Sequence, residues 1–197
     1  MTKKLISIVF IFAASLMSAA TVGETAPAFT LTDANGTTHS LSDFAGKTVV
    51  LEWFNPNCPF VVKFYDSSNM QKTQEKWTDK GVVWLAINST NPDHRDFLTA
   101  EQHIAYAEEK ETAATAFLLD KDGTVGQAYG ARTTPHMFVI SPEGTLVYNG
   151  AIDSIRSASA KDIAKAENFV NAALTSLMAG EEIAQATTRP YGCSVKY

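Results

Sequence analysis

"VVLEWFNPNCPFVVKFY", residues 49–65, decides how this chain folds. An apolar run broken by a single carboxylate, Glu52, leads through Asn-Pro-Asn to a lone cysteine, Cys58, directly before Pro59. Continuous apolarity is the mark of a strand covered on both faces. Proline is tolerated at the first position of a helix, where its missing N–H has no partner to lose. The stretch therefore predicts a buried strand over 49–54, a short turn, and a helix over 59–79 that begins at the cysteine.

Working outward, three more apolar runs read as strands: "VVWLAI" (82–87), "AFLL" (116–119) and "MFVI" (137–140). A fifth, "TLVY" (145–148), follows an S-P-E-G turn and closes a hairpin. Between them, residues 99–111 open with T-x-x-Q, a capping box, and predict a helix. Residues 161–178 place Ile163, Ala166, Val170, Ala173, Leu174 and Leu177 on one helical face, a core stripe. Upstream of residue 49, alternating pieces around the D-A-N-G turn (33–36) predict an N-terminal hairpin. Strands alternating with helices imply an α/β fold, a central sheet with helices on both faces. One domain is expected over 21–179, followed by a polar surface tail, 180–197, that carries the second cysteine, Cys193.

The first residues bear on compartment. Lys3 and Lys4 precede an uncharged, mostly apolar run to Ala20, with small residues at Ser18 and Ala20. That is the layout of a secretory signal peptide cleaved after Ala20, and the run is shorter than the roughly 20 residues that span a bilayer. Export to a periplasmic or extracellular space is expected, with no stable membrane insertion after cleavage. Acidic residues outnumber basic ones, 21 to 16, without a basic stripe, which argues against a nucleic-acid partner. In an exported chain a disulfide is permissible, so the two cysteines must be weighed as a pair.

The chemistry gathers around Cys58. A thiol at a helix start meets unpaired N–H groups and the positive end of the helix dipole, which favour the thiolate. Glu52, buried in a strand, is expected to have a raised pKa and to exchange protons with the thiol. In "RTTPHMFVI" (132–140) the Thr134-Pro135 pair stands at the entry to a buried strand, and Pro135 is a candidate cis proline. Arg132 and His136 flank it, each a candidate fixed charge or proton carrier beside the thiolate.

At these residues the chain resembles the thioredoxin-like superfamily, and within it the peroxiredoxin-like redoxins related to alkyl hydroperoxide reductase and thiol-specific antioxidant proteins. "VGETAPAFTLTDANGTTHSLSDFAGKTVVLEWF" is similar to the opening of a redoxin domain, and "NPNCPFVVKFY" to an N-x-C-P-[YF]-V segment. "YGARTTPHMFVISPEGTLVYNGAIDS" and "RPYGCSVKY" resemble the cis-proline strand with its hairpin and the cysteine-bearing end. The resemblance implies a thioredoxin-like fold and thiol oxidoreductase activity. Cys58 would be the redox-active cysteine, Pro135 the cis proline and Glu52 the buried acid. Val61 stands where C-x-x-C has its second cysteine, so dithiol exchange through that motif is excluded. Asn55 and Leu51 replace the hydroxyl residue and the proline of the peroxiredoxin loop.

The expected substrate is a hydroperoxide or a disulfide, with an external thiol as electron donor and Cys193 as the internal resolving candidate. The rival reading is a non-catalytic fold stapled by a Cys58–Cys193 disulfide, which for so long a loop would add roughly 5 kcal/mol. No cofactor is implied. His39, His94 and His103 lack metal-ligand spacing, and Val61 and Val62 offer copper no second soft ligand. "NST" at Asn88 fits a glycosylation pattern.

Overall fold

A computed structural model describes residues 19–197. Nearly all of the expected leader, and with it the export reading, lies outside the described residues. The core is a seven-stranded mixed sheet in the order β2-β1-β5-β4-β3-β7-β8. Its strands are β1 (Thr30–Asp33), β2 (Thr38–Ser40), β3 (Val49–Trp53), β4 (Val83–Asn88), β5 (Ala116–Leu119), β7 (His136–Ile140) and β8 (Leu146–Gly150). A second, two-stranded sheet pairs β6 (Thr133–Thr134) with β9 (Cys193–Ser194). The helices are α1 (Pro59–Asp66), α2 (Asn69–Thr78), α3 (Ala100–Glu109), α4 (Thr124–Tyr129) and α5 (Phe169–Ala179).

The continuous apolar runs behave as expected. Every residue of β3, β4 and β7 is buried, because side chains leave each strand on both faces and both faces are covered. β3 runs parallel to β4 and antiparallel to β7. On one face Val50, Phe54, Trp84 and Met137 pack with Val61, Phe64 and Trp77 from α1 and α2 and with Val170 and Leu174 from α5. On the other, Leu51, Trp53, Leu85 and Phe138 pack with Val125 and Tyr129 from α4 and with Phe29.

The expected N-terminal hairpin is present as β1–β2. Its turn is held by Asp33, whose Oδ1 accepts from the backbone N–H groups of Asn35 and Thr37, with Gly36 at φ 86°.

Two expectations need correction. The helix over 59–79 is two helices, broken where Ser68 takes a left-handed φ of 56° and Ser67 Oγ turns back to the carbonyls of Lys63 and Phe64. The helix over 161–178 is a 3-10 turn at Ala160–Lys165 followed by α5, with Ala166 extended between them. Asn168 caps the new helix by accepting from the Asn171 N–H, a local bond that outweighs the continuous stripe. The tail runs along the sheet edge. Thr187 bridges to Asn149 on the outer edge of β8, and Thr188 Oγ1 receives the Ala151 N–H and pairs with the Tyr148 hydroxyl at 2.6 Å. This covers an edge whose backbone groups would otherwise stand open.

The glycosylation reading of Asn88 also falls. The residue is buried in β4, and its Nδ2 donates to the Phe54 carbonyl.

Candidate functional site

The antiparallel register of β3 and β7 sets Trp53 opposite His136, so the end of β3 and the start of β7 lie together. Cys58 leaves the first and Pro135 enters the second. Between them the chain turns tightly: Asn55 Oδ1 accepts from the Asn57 N–H and the Asn55 carbonyl from the Cys58 N–H. Cys58 is the N-cap of α1 with Pro59 following, as the sequence predicts, and the Val61 and Val62 N–H groups bond to its carbonyl. Its thiol does not cap the helix. It donates to the carbonyl of Thr134 at 3.0 Å, and the Thr134-Pro135 bond is cis.

Cys193 arrives at the same point from the tail. β9 pairs antiparallel to β6 with Cys193 opposite Thr134. Gly192, at φ 137°, passes so close to the Thr134 carbonyl that a β-carbon there would collide with it. The two cysteines are free thiols; Cys58 is buried and Cys193 partly so. Cys58 directs its proton to Thr134. Burial, and after it the interaction with the Cys58 sulfur, push the Cys193 thiol up to about 12. Cys193 is therefore held as a thiol.

The other candidates are placed as follows. Glu52 is completely buried on the Cys58 face of the sheet. It accepts from Trp84 Nε1 at 2.8 Å, the Tyr65 hydroxyl at 3.0 Å and Gln74 Nε2 at 3.3 Å, and no hydrogen bond joins it to Cys58. Burial pushes its carboxyl up to about 7, against the pull of those three donors. Thr134 is buried, and its Oγ1 has no partner beside the cysteine pair. Arg132 is exposed, and its backbone ties β9 to the site: its carbonyl accepts from Val195 N–H.

His136 is hydrogen-bonded at both ring nitrogens and makes no hydrogen bond to either cysteine. Nδ1 accepts from the Arg132 N–H, so Nε2 carries the proton to Asn149 Oδ1 at 2.7 Å. Burial pulls the ring down to about 4 and keeps it neutral.

Sequence reasoning missed Lys63, Asp153 and Tyr191. They form a buried cluster that joins α1, the segment after β8 and the tail. The signal was available for Lys63, a charge inside "PFVVKFY" much as Glu52 sits inside "VVLEWF". Its partners are 90 and 128 positions away and left no local pattern.

Residues 22–149 match the AhpC/TSA family, a span that holds β1 to β8 and Cys58. The chain belongs to that family. Curated relatives include "Thiol-disulfide oxidoreductase ResA" of Halalkalibacterium halodurans, 28% identical over 66% of this chain and 68% of that protein. Its namesake in Bacillus subtilis is 32% identical over 64% of each. Among solved structures, a hypothetical protein of Sinorhizobium meliloti superposes with a TM-score of 0.76 at 26% identity, covering 91% of this chain and 96% of that one. The thioredoxin domain of a thiol-disulfide oxidoreductase from Bacteroides vulgatus gives 0.53 at 26% identity over 75% of this chain and 98% of that one. Within the AhpC/TSA family, then, this chain has a thioredoxin-like fold, as the sequence resemblance implied.

Glu52 gives the first testable consequence. Its carboxyl binds a proton more tightly folded than unfolded, so the folded state gains protons relative to the unfolded one. Stability is then highest below the ordinary carboxyl value and falls as pH rises through about 7. Between about pH 4 and pH 8 the wild type should lose on the order of 3 kcal/mol relative to Glu52→Gln. Urea unfolding across that range reads the difference. Parallel stability curves for the two proteins would mean that Glu52 ionises normally in the fold.

Proposed function

We propose that the chain is an exported thiol-disulfide oxidoreductase in which Cys58 is the nucleophile and Cys193 the resolving thiol. The observation that carries this reading is the convergence of two free thiols on Thr134 at the cis-proline segment, one of them from the tail. The names of the ResA relatives support the reaction class.

The Cys58 sulfur attacks a substrate disulfide, forms a mixed disulfide and releases one substrate thiol. Cys193 then attacks the Cys58 sulfur, closing Cys58–Cys193 and releasing the second thiol. An external thiol reductant restores the pair. Burial holds the proton on Cys193 most strongly, and the interaction with Cys58 adds to it. Conversion of Cys58 to a mixed disulfide removes its charge and so eases loss of the Cys193 proton for the second step. A hydroperoxide can enter the same cycle: Cys58 takes the terminal oxygen as a sulfenic acid while the O–O bond breaks and the alcohol leaves, and Cys193 then displaces the sulfenic oxygen as water. Glu52, on the same face of the sheet with a carboxyl that titrates near neutrality, serves as the buried proton store. The unpartnered Thr134 hydroxyl, beside Pro135, lines the point of attack, and Arg132 holds β9 in place.

Treatment of the reduced protein with one equivalent of a small disulfide should yield a peptide in which Cys58 is joined to Cys193. A stable mixed disulfide at Cys58, with Cys193 still free to alkylate, would overturn the resolving role.

A further inference from the structure

Lys63 is an unusual residue to find wholly inside a protein. Its side chain is 0% exposed and that of Asp153 is 3% exposed, with Nζ 3.3 Å from Asp153 Oδ2. Tyr191 completes the cluster. Its hydroxyl lies 3.2 Å from Lys63 Nζ and donates to Asp153 Oδ1, while Nζ also sits over the Phe64 ring at 4.4 Å and the Tyr191 ring at 5.5 Å. Phe60 meets the Tyr191 ring edge-on at 5.8 Å. Phe60 is two residues after Cys58, and Tyr191 is two residues before Cys193.

We propose that Lys63, Asp153 and Tyr191 form a positioning latch that presents Cys193 to Cys58, an inference that rests on the redox-pair reading above. An apolar plug would hold the tail as firmly, because a buried ion pair gains little over well-packed hydrophobic side chains. What the ionic cluster adds is direction. A hydroxyl must aim its proton at one carboxylate oxygen, and an ammonium must sit at the other, so one alignment of the tail satisfies all three groups. That alignment places Cys193 opposite Thr134 in β6, whose carbonyl also holds the Cys58 thiol. The latch residues touch neither sulfur; they act through the tail.

The reaction with dithiobis-nitrobenzoate separates the two steps by colour. Cys58 attacks one sulfur of the reagent and expels the first coloured thiolate. Cys193 then attacks the Cys58 sulfur, the Cys58–Cys193 bond forms, and the second thiolate leaves with the electron pair of the broken bond. The Cys193 proton passes to solvent. With one equivalent of reagent, the second release is a first-order process that reports how well Cys193 is presented.

Tyr191→Phe keeps the ring against Phe60 and removes only the hydroxyl. It should leave the first release unchanged or faster and slow the second about tenfold, the effect of losing a hydrogen bond to a charged group. Asp153→Asn, which keeps the shape but not the charge, should split the two steps in the same way. A folded Tyr191→Phe protein whose second release matches the wild type overturns the latch. So does equal slowing of both steps, which marks a merely structural residue. If the wild type itself forms no Cys58–Cys193 bond, the redox-pair reading fails first, and the latch has nothing to present.

Discussion

Replacing Cys58 with serine is expected to reduce disulfide or hydroperoxide turnover by on the order of a thousandfold or more, because the proposed cycle starts with attack by the Cys58 sulfur. Cys193→Ser should behave differently. The first chemical step should persist at close to the wild-type rate, and the product should accumulate as a mixed disulfide, or as a sulfenic acid with peroxide. Mass spectrometry of each variant after a single exposure to oxidant distinguishes these outcomes. The asymmetry follows from the site. The Cys193 proton is held by burial and by the interaction with Cys58, while Cys58 stands at the helix start. Should Cys58→Ser keep full activity, or should both single variants lose only thermal stability and by the same amount, the pair is a structural staple. The oxidoreductase proposal would then be wrong.

Asp153→Ala should have the largest effect on stability. It strands the Lys63 ammonium inside the protein without its carboxylate, and breaking a buried pair from one side costs about 3–5 kcal/mol. For a domain of this size that is a melting temperature lower by roughly 10 °C. The double variant Lys63→Met/Asp153→Ala should recover most of the loss, because the unpaired charge is then removed and the methionine stem can occupy the space against Phe64 and Tyr191. Thermal and urea unfolding of the two single variants and the double closes the cycle. A cost for Asp153→Ala below about 1 kcal/mol, or a double variant less stable than the single, would show that water reaches the Lys63 site and that the pair is not truly buried.

Much of this could be read before any coordinates. The apolar runs at β3, β4, β5 and β7 name their own secondary structure, since a strand covered on both faces needs no polar alternation. The D-A-N-G turn, the T-x-x-Q cap of α3 and Pro59 at the start of α1 are equally local, each settled by the chemistry of a few neighbouring residues. The breaks at Ser68 and at Ala166–Asn168 were not legible from periodicity, because a continuous apolar face says nothing about the local bonds that end one helix and cap the next.

The sequence by itself therefore determined the α/β class, the place of Cys58 at a helix start, the entry of β7 at Pro135 and the family resemblance, all properties of short segments. Tertiary structure alone decided that Gly192 passes against Thr134, that Cys193 and Cys58 meet at Thr134, that His136 bonds to Asn149, and that Lys63 is answered by Asp153 and Tyr191. Most of those pairings join residues scores of positions apart. Burial makes an unanswered polar group too costly to leave, but it does not say in the sequence which distant partner will answer it.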